Sequence, residues 1–268
     1  MVKDKILFLI SAYNSSEYTK LNVEYLKRVT DVDLEILVVD DCSTDDTVEW
    51  CKENDIKVFE KEEGRGNTHS WNMAYEYFKE NKEFNYFVNA NHDVVVPNGA
   101  LSQLIEAQKR WPGTTVCPMG NKIGVGHAPI QYVGNYFDGF ADASANYENT
   151  QQIQDGLITT KENLRKAKDL YMIDPMRMKH FNGFLFMHSR DICKYEREDG
   201  NLYDPKHLMC KNEDEFNWKV MLPNDDHPIL CKTAYVYHFK AVSKGSSIYF
   251  EDHQVDEFLA KRKELAKK

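Results

Sequence analysis

Residues 34–54 read LEILVVDDCSTDDTVEWCKEN. Ile36 to Val39 form an apolar run without helical spacing, which predicts a buried strand. The strand delivers two carboxylates, Asp40 and Asp41, to its carboxyl end. Ser43, Thr44, Asp45 and Asp46 then suit the start of a helix, with Ser or Thr as cap and acids complementing the helix dipole. A strand handing over to a helix in this way is half of a parallel crossover unit, so the fold turns on whether the unit repeats.

It repeats on both sides. KILFLI (5–10) is a strand followed by the breakers Ser11, Asn14, Ser15 and Ser16. EYTKLNVEYLKRV (17–29) spaces Tyr18, Leu21, Tyr25, Leu26 and Val29 as one face of a helix. KVFEK (57–61) is a third strand, EGRGNTHSWNMAYEYFKEN (63–81) a glycine turn and amphipathic helix, and FNYFVNA (84–90) a fourth strand. Strands alternating with helices predict an α/β fold, with a Rossmann-like, mainly parallel central sheet and helices on both faces. In such sheets the ligand crevice lies at the carboxyl ends of the strands. The polar strand endings 12–14, 40–43, 64–67 and 89–93 share that edge.

The second half is less regular. NGALSQLIEAQKRW (98–111) predicts a helix stopped by Pro112, and TTVCPMG (114–120) a strand. Between 120 and 169 the chain is polar and mixed, and FADASANYENTQQIQDG (140–156) is expected to be a mobile loop. RMKHFNGFLFMHSRDICKY (177–195) predicts a strand then a helix, KNEDEFNWKVML (211–222) a helix, and CKTAYVYHF (231–239) a late strand. The tail QVDEFLAKRKELAKK (254–268) is a basic amphipathic helix, expected to be a solvated surface helix.

Composition limits the function classes. The 268 residues are 42% hydrophobic and 12% aromatic, enough for one large core or two modest ones. The net charge of −9 opposes binding to a phosphate backbone, so nucleic acid is not an expected partner. No apolar window reaches the ~20 residues of a membrane span, and the chain reads as soluble and cytoplasmic. The six cysteines form no CxxC pair, which removes zinc-ribbon and redox readings. The histidines lack HExxH spacing, so a zinc enzyme is not expected.

YFVNANHDVVVP (86–97) then poses the functional question. Asn89, Asn91, His92 and Asp93 interrupt a hydrophobic run, an arrangement that is costly unless each polar group is occupied.

The order of these motifs resembles family 2 glycosyltransferases, nucleotide-sugar enzymes of the GT-A fold. The likeness rests on SAYN (11–14), VVDDCSTDDT (38–47), GRGNTHSWNMA (64–74), NHDVVVPNGAL (91–101), KNEDEFNW (211–218) and HFKAVSKG (238–245). It covers about residues 5–245, and the NHD stretch is most like that of rhamnosyltransferases.

The resemblance implies a single domain. Its nucleotide-binding half is about 1–97, its metal and acceptor half about 98–245, and 246–268 a C-terminal helix. It implies transfer of a sugar from a UDP or dTDP donor to a hydroxyl of a carbohydrate or glycoconjugate acceptor, with inversion. Ala12, Tyr13, Asn14, Asp41, Arg65, Gly66, Asn72 and Asn91 would contact the donor, with Asn182, Gly183, Ser243 and Lys244 on the sugar and phosphate side. Asp93 and His238 would bind Mn²⁺ or Mg²⁺. Asp214 would be the catalytic base and Glu213 its positioning partner, and a homodimer is a possible assembly. Asn91 departs from the commoner Asp and weakens the motif as a metal site. That departure keeps open a catalytically impaired nucleotide-sugar binding protein. A nucleotidyltransferase is less favoured, because SAYNSSEY (11–18) has neither a glycine nor a base after the first strand.

Overall fold

The first strand, β1 (Lys5–Ala12), is buried on both faces from Ile6 onward, as an interior parallel strand must be. The computed structural model describes residues 4–121, 131–135, 154–156, 181–209, 212–239, 250–251, 256–257 and 260. After β1 the chain alternates through α1 (Ser16–Leu26), β2 (Asp33–Asp40), α2 (Thr47–Glu53), β3 (Lys57–Glu60), α3 (Gly66–Glu80) and β4 (Tyr86–Asn91). The crossover units read from the sequence therefore form in the predicted order. The second half supplies β5 (Val94–Val95), α4 (Ala100–Arg110), β6 (Thr115–Gly120), β7 (Leu185–Ser189), β8 (His207–Met209), α5 (Asn212–Phe216), β9 (Ile229–His238) and β10 (Phe250–Glu251).

Eight strands form one sheet in the order β3-β2-β1-β4-β7-β6-β9-β5. β3, β2, β1 and β4 run parallel, and β6 runs parallel to β9. β7 is antiparallel to both β4 and β6, and β5 is antiparallel to β9. The sheet is thus mixed, with its parallel half in the first 91 residues. Strand order reverses between β1 and β4, and the region beyond their carboxyl ends is where sheets of this kind place a ligand crevice.

Helices cover both faces. On one, Val23 and Leu26 of α1, Cys51 of α2 and Leu101, Leu104 and Ile105 of α4 pack on Phe8, Val38 and Val88. On the other, Trp71, Ala74, Tyr75 and Phe78 of α3 pack on Leu7, Leu37 and Phe87, with Tyr203 and Phe216 completing the layer. Gly66 opens α3 at φ +75°, and a Cβ there would lie 2.0 Å from the carbonyl oxygen of Leu208. Only glycine allows α3 to approach β8 this closely.

Several local expectations change. The N-cap of α2 is Asp46, not a Ser or Thr. The Asp46 carboxylate is instead held by Ser16 and by Lys20 at 2.6 Å, while Asp45 accepts from the backbone N–H groups of Ser16 and Thr47. The helix expected over 211–222 is only five α-helical residues, followed by a π turn at Asn217–Met221 and a 3₁₀ turn at Leu222–Asn224. The helix expected after β7 is a 3₁₀ helix, Arg190–Tyr195. Within the expected C-terminal helix of 246–268, Phe250–Glu251 is instead a strand, paired with β8. Most of the expected mobile loop at 140–156 lies outside the described residues. Gln154 is described and is built in, bonding the Thr233 carbonyl and the Tyr235 N–H where β9 bulges against β6.

A polar network runs through the second core layer. Asn89 Nδ2 donates to the Tyr203 hydroxyl at 3.0 Å, and that hydroxyl lies 2.7 Å from His188 Nε2. While accepting from Asn89 the hydroxyl still has its own proton to donate to His188, the arrangement in which Nε2 carries no proton. Burial pushes the His188 pKa down to about 3. The unfolded chain therefore binds a proton near pH 6.5 that the folded chain refuses, and stability falls as pH drops from about 6.5 towards 3. The contribution of this ring is about 1 kcal/mol per pH unit in that window. Urea unfolding midpoints at pH 7 and pH 5 are expected to differ clearly in the wild type and much less in His188→Phe.

Candidate functional site

Four strand endings define the crevice. β1 ends in Ala12, Tyr13 and Asn14, and Asn14 sits at φ 45°, a conformation that asparagine tolerates better than most residues. Its N–H donates to Ser43 Oγ at 2.9 Å and its Oδ1 accepts from the Thr44 N–H at 2.7 Å. Asn14 thus ties the loop after β1 to the loop after β2.

The two aspartates ending β2 are used differently. Asp41, expected among the donor contacts, has its carboxylate bonded within the fold. Its oxygens accept from the N–H of Arg65 at 2.8 Å, the N–H of Gly66 at 2.9 Å and Lys61 Nζ at 2.8 Å. The ion pair is nearly closed to solvent, with side chains 5% and 3% exposed. Asp41 therefore anchors the first turn of α3, where backbone N–H groups otherwise lack partners. Asp40 accepts from the Ser43 N–H, keeps a buried Oδ1 without a hydrogen bond among the described residues, and is pushed above the usual carboxylate range by burial.

Two further residues expected at the donor have partners within the fold. The Asn72 amide donates to the Tyr203 carbonyl and accepts from the N–H groups of Leu202 and Tyr203, so it clamps α3 to the 202–203 segment. Gly66 is required by its approach to Leu208. The Arg65 side chain is partly exposed and lies 3.0 Å from Glu63.

The interrupted run 89–93 resolves residue by residue. Asn89 enters the Tyr203 network. The Asn91 N–H donates to the Phe184 carbonyl at 2.9 Å, and its side chain is partly exposed at the crevice edge. His92 is buried, with Nδ1 3.2 Å from the Ser11 carbonyl. Asp93 lies 3.2 Å from His238 Nε2. Burial opposes its charge, but the His238 ring holds its pKa below the usual range.

The meeting of Asp93 and His238 has a backbone cause. Val94 pairs with His238 in the β5–β9 ladder, and the Phe239 N–H donates to the Asp93 carbonyl. The Asn121 amide brackets the His238 backbone at 2.9 and 3.0 Å, and Phe184 stacks on the imidazole with centroids 5.2 Å apart. Two donors bound side by side on an ion at 2.0–2.1 Å lie about 3 Å apart. The two side chains meet as a direct pair, and their spacing would also suit a shared divalent cation, which Asp93 and His238 would hold. No cluster of three or more acidic, histidine or cysteine side chains suited to a metal occurs among the described residues.

The segment 182–184 joins this pair to α5. The Asn182 N–H donates to Gln131 Oε1 at 2.6 Å, and its side chain is exposed. A Cβ at Gly183 would lie 2.7 Å from Glu213 Oε1, so the absent side chain leaves room for that carboxylate. Glu213, Gly183, Phe184, His238 and Asp93 thus form one continuous series of contacts, with Asp214 following on the same short helix. Ser243 and Lys244 lie outside the described residues.

Asn22 was not singled out from the sequence. It is fully buried in α1 and donates to the carbonyls of Asn91 at 3.2 Å and His92 at 3.4 Å. The only signal was an amide between Leu21 and Val23 on an amphipathic helix. Lys61 was missed because its partner, Asp41, is distant in sequence.

The profile of glycosyl transferase family 2 matches residues 8–191. No curated protein sequence matches the chain. Among solved structures, Staphylococcus aureus TarS 1–349 in complex with UDP-GlcNAc superposes with TM-score 0.60 at 17% identity, covering 96% of this chain and 65% of that one. GalNAc-T7 with UDP, GalNAc and Mn²⁺ gives 0.59 at 16%, covering 88% and 44%. The mannosyltransferase PcManGT from Pyrobaculum calidifontis with GDP-Man and Mn²⁺ gives 0.54 at 15%, covering 88% and 57%. At these identities the likeness establishes the fold, that of GT-A glycosyltransferases. The chain spans less than two thirds of each of these relatives. No helix among the described residues is long and apolar enough to cross a membrane.

Asn22→Ala leaves two carbonyls at the 91–93 turn without their donor. Unfolding free energy is expected to fall by about 1–3 kcal/mol, read from urea midpoints at pH 7.

Proposed function

We propose that this chain, which belongs to glycosyl transferase family 2, moves a sugar from a UDP or dTDP donor to an acceptor hydroxyl with inversion at the anomeric carbon. The observation that carries the reading is the meeting of Asp93 and His238 at 3.2 Å, on the edge of a crevice walled by Ala12–Asn14 and Asn91. The spacing fits Mn²⁺ or Mg²⁺, and the relatives solved with Mn²⁺ and a nucleotide or nucleotide sugar support that choice. Such an ion supplies positive charge where the leaving diphosphate becomes more negative.

The protein's own residues then do the following. Asn14 fixes the two loops that flank the nucleotide, with Tyr13 beside them. Asn91 faces the donor from the end of β4, and Arg65 offers a partly exposed cation at the head of α3. The acceptor hydroxyl is a poor nucleophile, so Asp214 takes its proton as its oxygen bonds to the anomeric carbon. The bond from that carbon to the diphosphate oxygen breaks on the opposite face, which inverts the centre. Glu213 sets the angle of this short helix through its seat over Gly183. Asn182, exposed beside that seat, contributes a polar side chain on the sugar side, and Ser243 and Lys244 are assigned to the phosphates by family likeness.

Thermal shift with UDP, dTDP and GDP, each with and without Mn²⁺, tests the donor reading. A nucleotide at a hundred times its dissociation constant stabilises the folded state by about 2.7 kcal/mol. The Mn²⁺-dependent part is expected to vanish in Asp93→Asn and His238→Ala. Absence of a shift with every nucleotide would overturn the proposal.

Gly183→Ala tests the acceptor side. The clash is with the end of a flexible side chain, so the unfolding free energy should stay within about 0.5 kcal/mol of wild type, while transfer drops about ten- to a hundredfold. Asn91, a neutral amide in place of the commoner carboxylate, keeps a binding-only protein as the second reading. A wild-type protein that shows the nucleotide thermal shift but transfers no sugar would favour it.

A further inference from the structure

α5 is five residues long and passes directly into the π turn. A helix that short does not stand in water on its own hydrogen bonds, so its setting comes from what its side chains grip. Phe216 packs on Tyr203 with ring centroids 5.2 Å apart, an attraction that buries area without fixing direction. Glu215 pairs with His207 of β8 and with Lys206 and Lys219. Glu213 lies against Gly183.

Asn212, the first residue of α5, takes a partner from the other half of the chain. Its Nδ2 donates to Thr68 Oγ1 at 2.8 Å, and its Oδ1 accepts from the N–H of Glu213 at 3.1 Å. Both residues are closed to solvent, Asn212 at 2% and Thr68 at 0% exposure, so water cannot stand in for either partner. Thr68 belongs to the first turn of α3, two residues after Gly66, whose N–H is held by Asp41 at the end of β2. The start of α5 is thereby tied to the start of α3. A hydrogen bond weakens steeply as its angle opens, so it opposes a rotation that ring packing at Phe216 tolerates. Asp214 lies between these two attachments.

We propose that Asn212 and Thr68 are positioning residues: their hydrogen bond fixes the start of α5, and with it the Asp214 carboxylate, relative to the donor side of the sheet. The seat of Glu213 on Gly183 fixes the same helix from the acceptor side. A misplacement of about 1 Å costs on the order of a hundredfold in rate, so a bond that touches no substrate controls the base through geometry alone. This inference rests on the assignment of Asp214 as the base.

The test compares the full chain as wild type, Thr68→Val, which keeps the shape and removes the hydroxyl, and Thr68→Ser, which keeps the hydroxyl. Amide exchange over residues 213–216 is expected to quicken about tenfold or more in the valine variant, the equivalent of one lost buried hydrogen bond, while the amides of β1 keep their wild-type rates. NMR of carboxyl-labelled aspartate, with Asp214 identified by its loss in Asp214→Asn, is expected to show a displaced Asp214 titration in Thr68→Val and a wild-type curve in Thr68→Ser. If β1 quickens as well, valine has loosened the whole fold. Thr68→Val combined with Asn212→Leu then replaces it, since apolar groups at both positions strand no amide. Unchanged exchange in α5, an unmoved Asp214 titration, or a serine variant that behaves as valine does overturns the inference. These readings need no ligand, and the thermal shift with UDP and Mn²⁺ is taken beside them. Failure of the Asn212–Thr68 tie with the shift intact leaves the donor reading standing, whereas a missing shift strikes the proposed function and leaves the tie to be decided by its own measurements.

Discussion

The short ladder between β5 and β9 is the constraint on which the crevice depends. It is two residues long on the β5 side, yet it sets Asp93 beside a histidine 145 positions further along. Each backbone hydrogen bond is worth only about 1 kcal/mol net, so so small a ladder cannot hold itself. It is held because β9 is ten residues long and pairs with β6 along the interior of the sheet. The register shift at Pro118 and Met119 is absorbed by the side chain of Gln154. The position of the Asp93 carboxylate is thus set by packing well away from it.

The same economy of partners explains how polar groups survive in this interior. Asn22, Asn72, Asn121 and Gln154 each hold backbone groups that no neighbouring strand reaches. Amides serve better here than charges, because they can donate and accept at once, as Asn72, Asn121 and Gln154 do, without the desolvation cost of an ion. Charge is buried where it has several partners, as at Asp41, whose oxygens meet two backbone donors and Lys61. Breaking such a pair from one side strands the other charge. The polar edge of the sheet is accordingly a rigid frame more than a set of free ligands.

The parallel half was legible because strands and helices there follow single, uninterrupted periodicities, and LEILVVDD or KILFLI admits few other readings. Asp93 and His238 were legible as a pair only through the order of motifs, since nothing local in HDVVV or YVYHF shows that they meet. Asp41 and Asn72 were assigned outward because sequence shows a side chain's chemistry and not its partners, and both turned out to be occupied within the fold. The 211–222 segment was misjudged in detail because helical spacing cannot distinguish an α turn from the π turn that follows Phe216. β8 and β5, at three and two residues, carry too few side chains for any alternation to appear.

The clamp between α3 and the 202–208 segment bears on how the chain can be divided. Trp71 touches Phe186 and Tyr203, the Asn72 amide is spent on residues 202 and 203, and Gly66 abuts Leu208. A fragment ending before residue 200 would expose the indole of Trp71 and leave an interior amide without partners, although every crossover unit of the parallel half would still be present. The parallel half of the sheet and the 202–208 segment therefore share a wall, and neither can be exchanged alone without opening it.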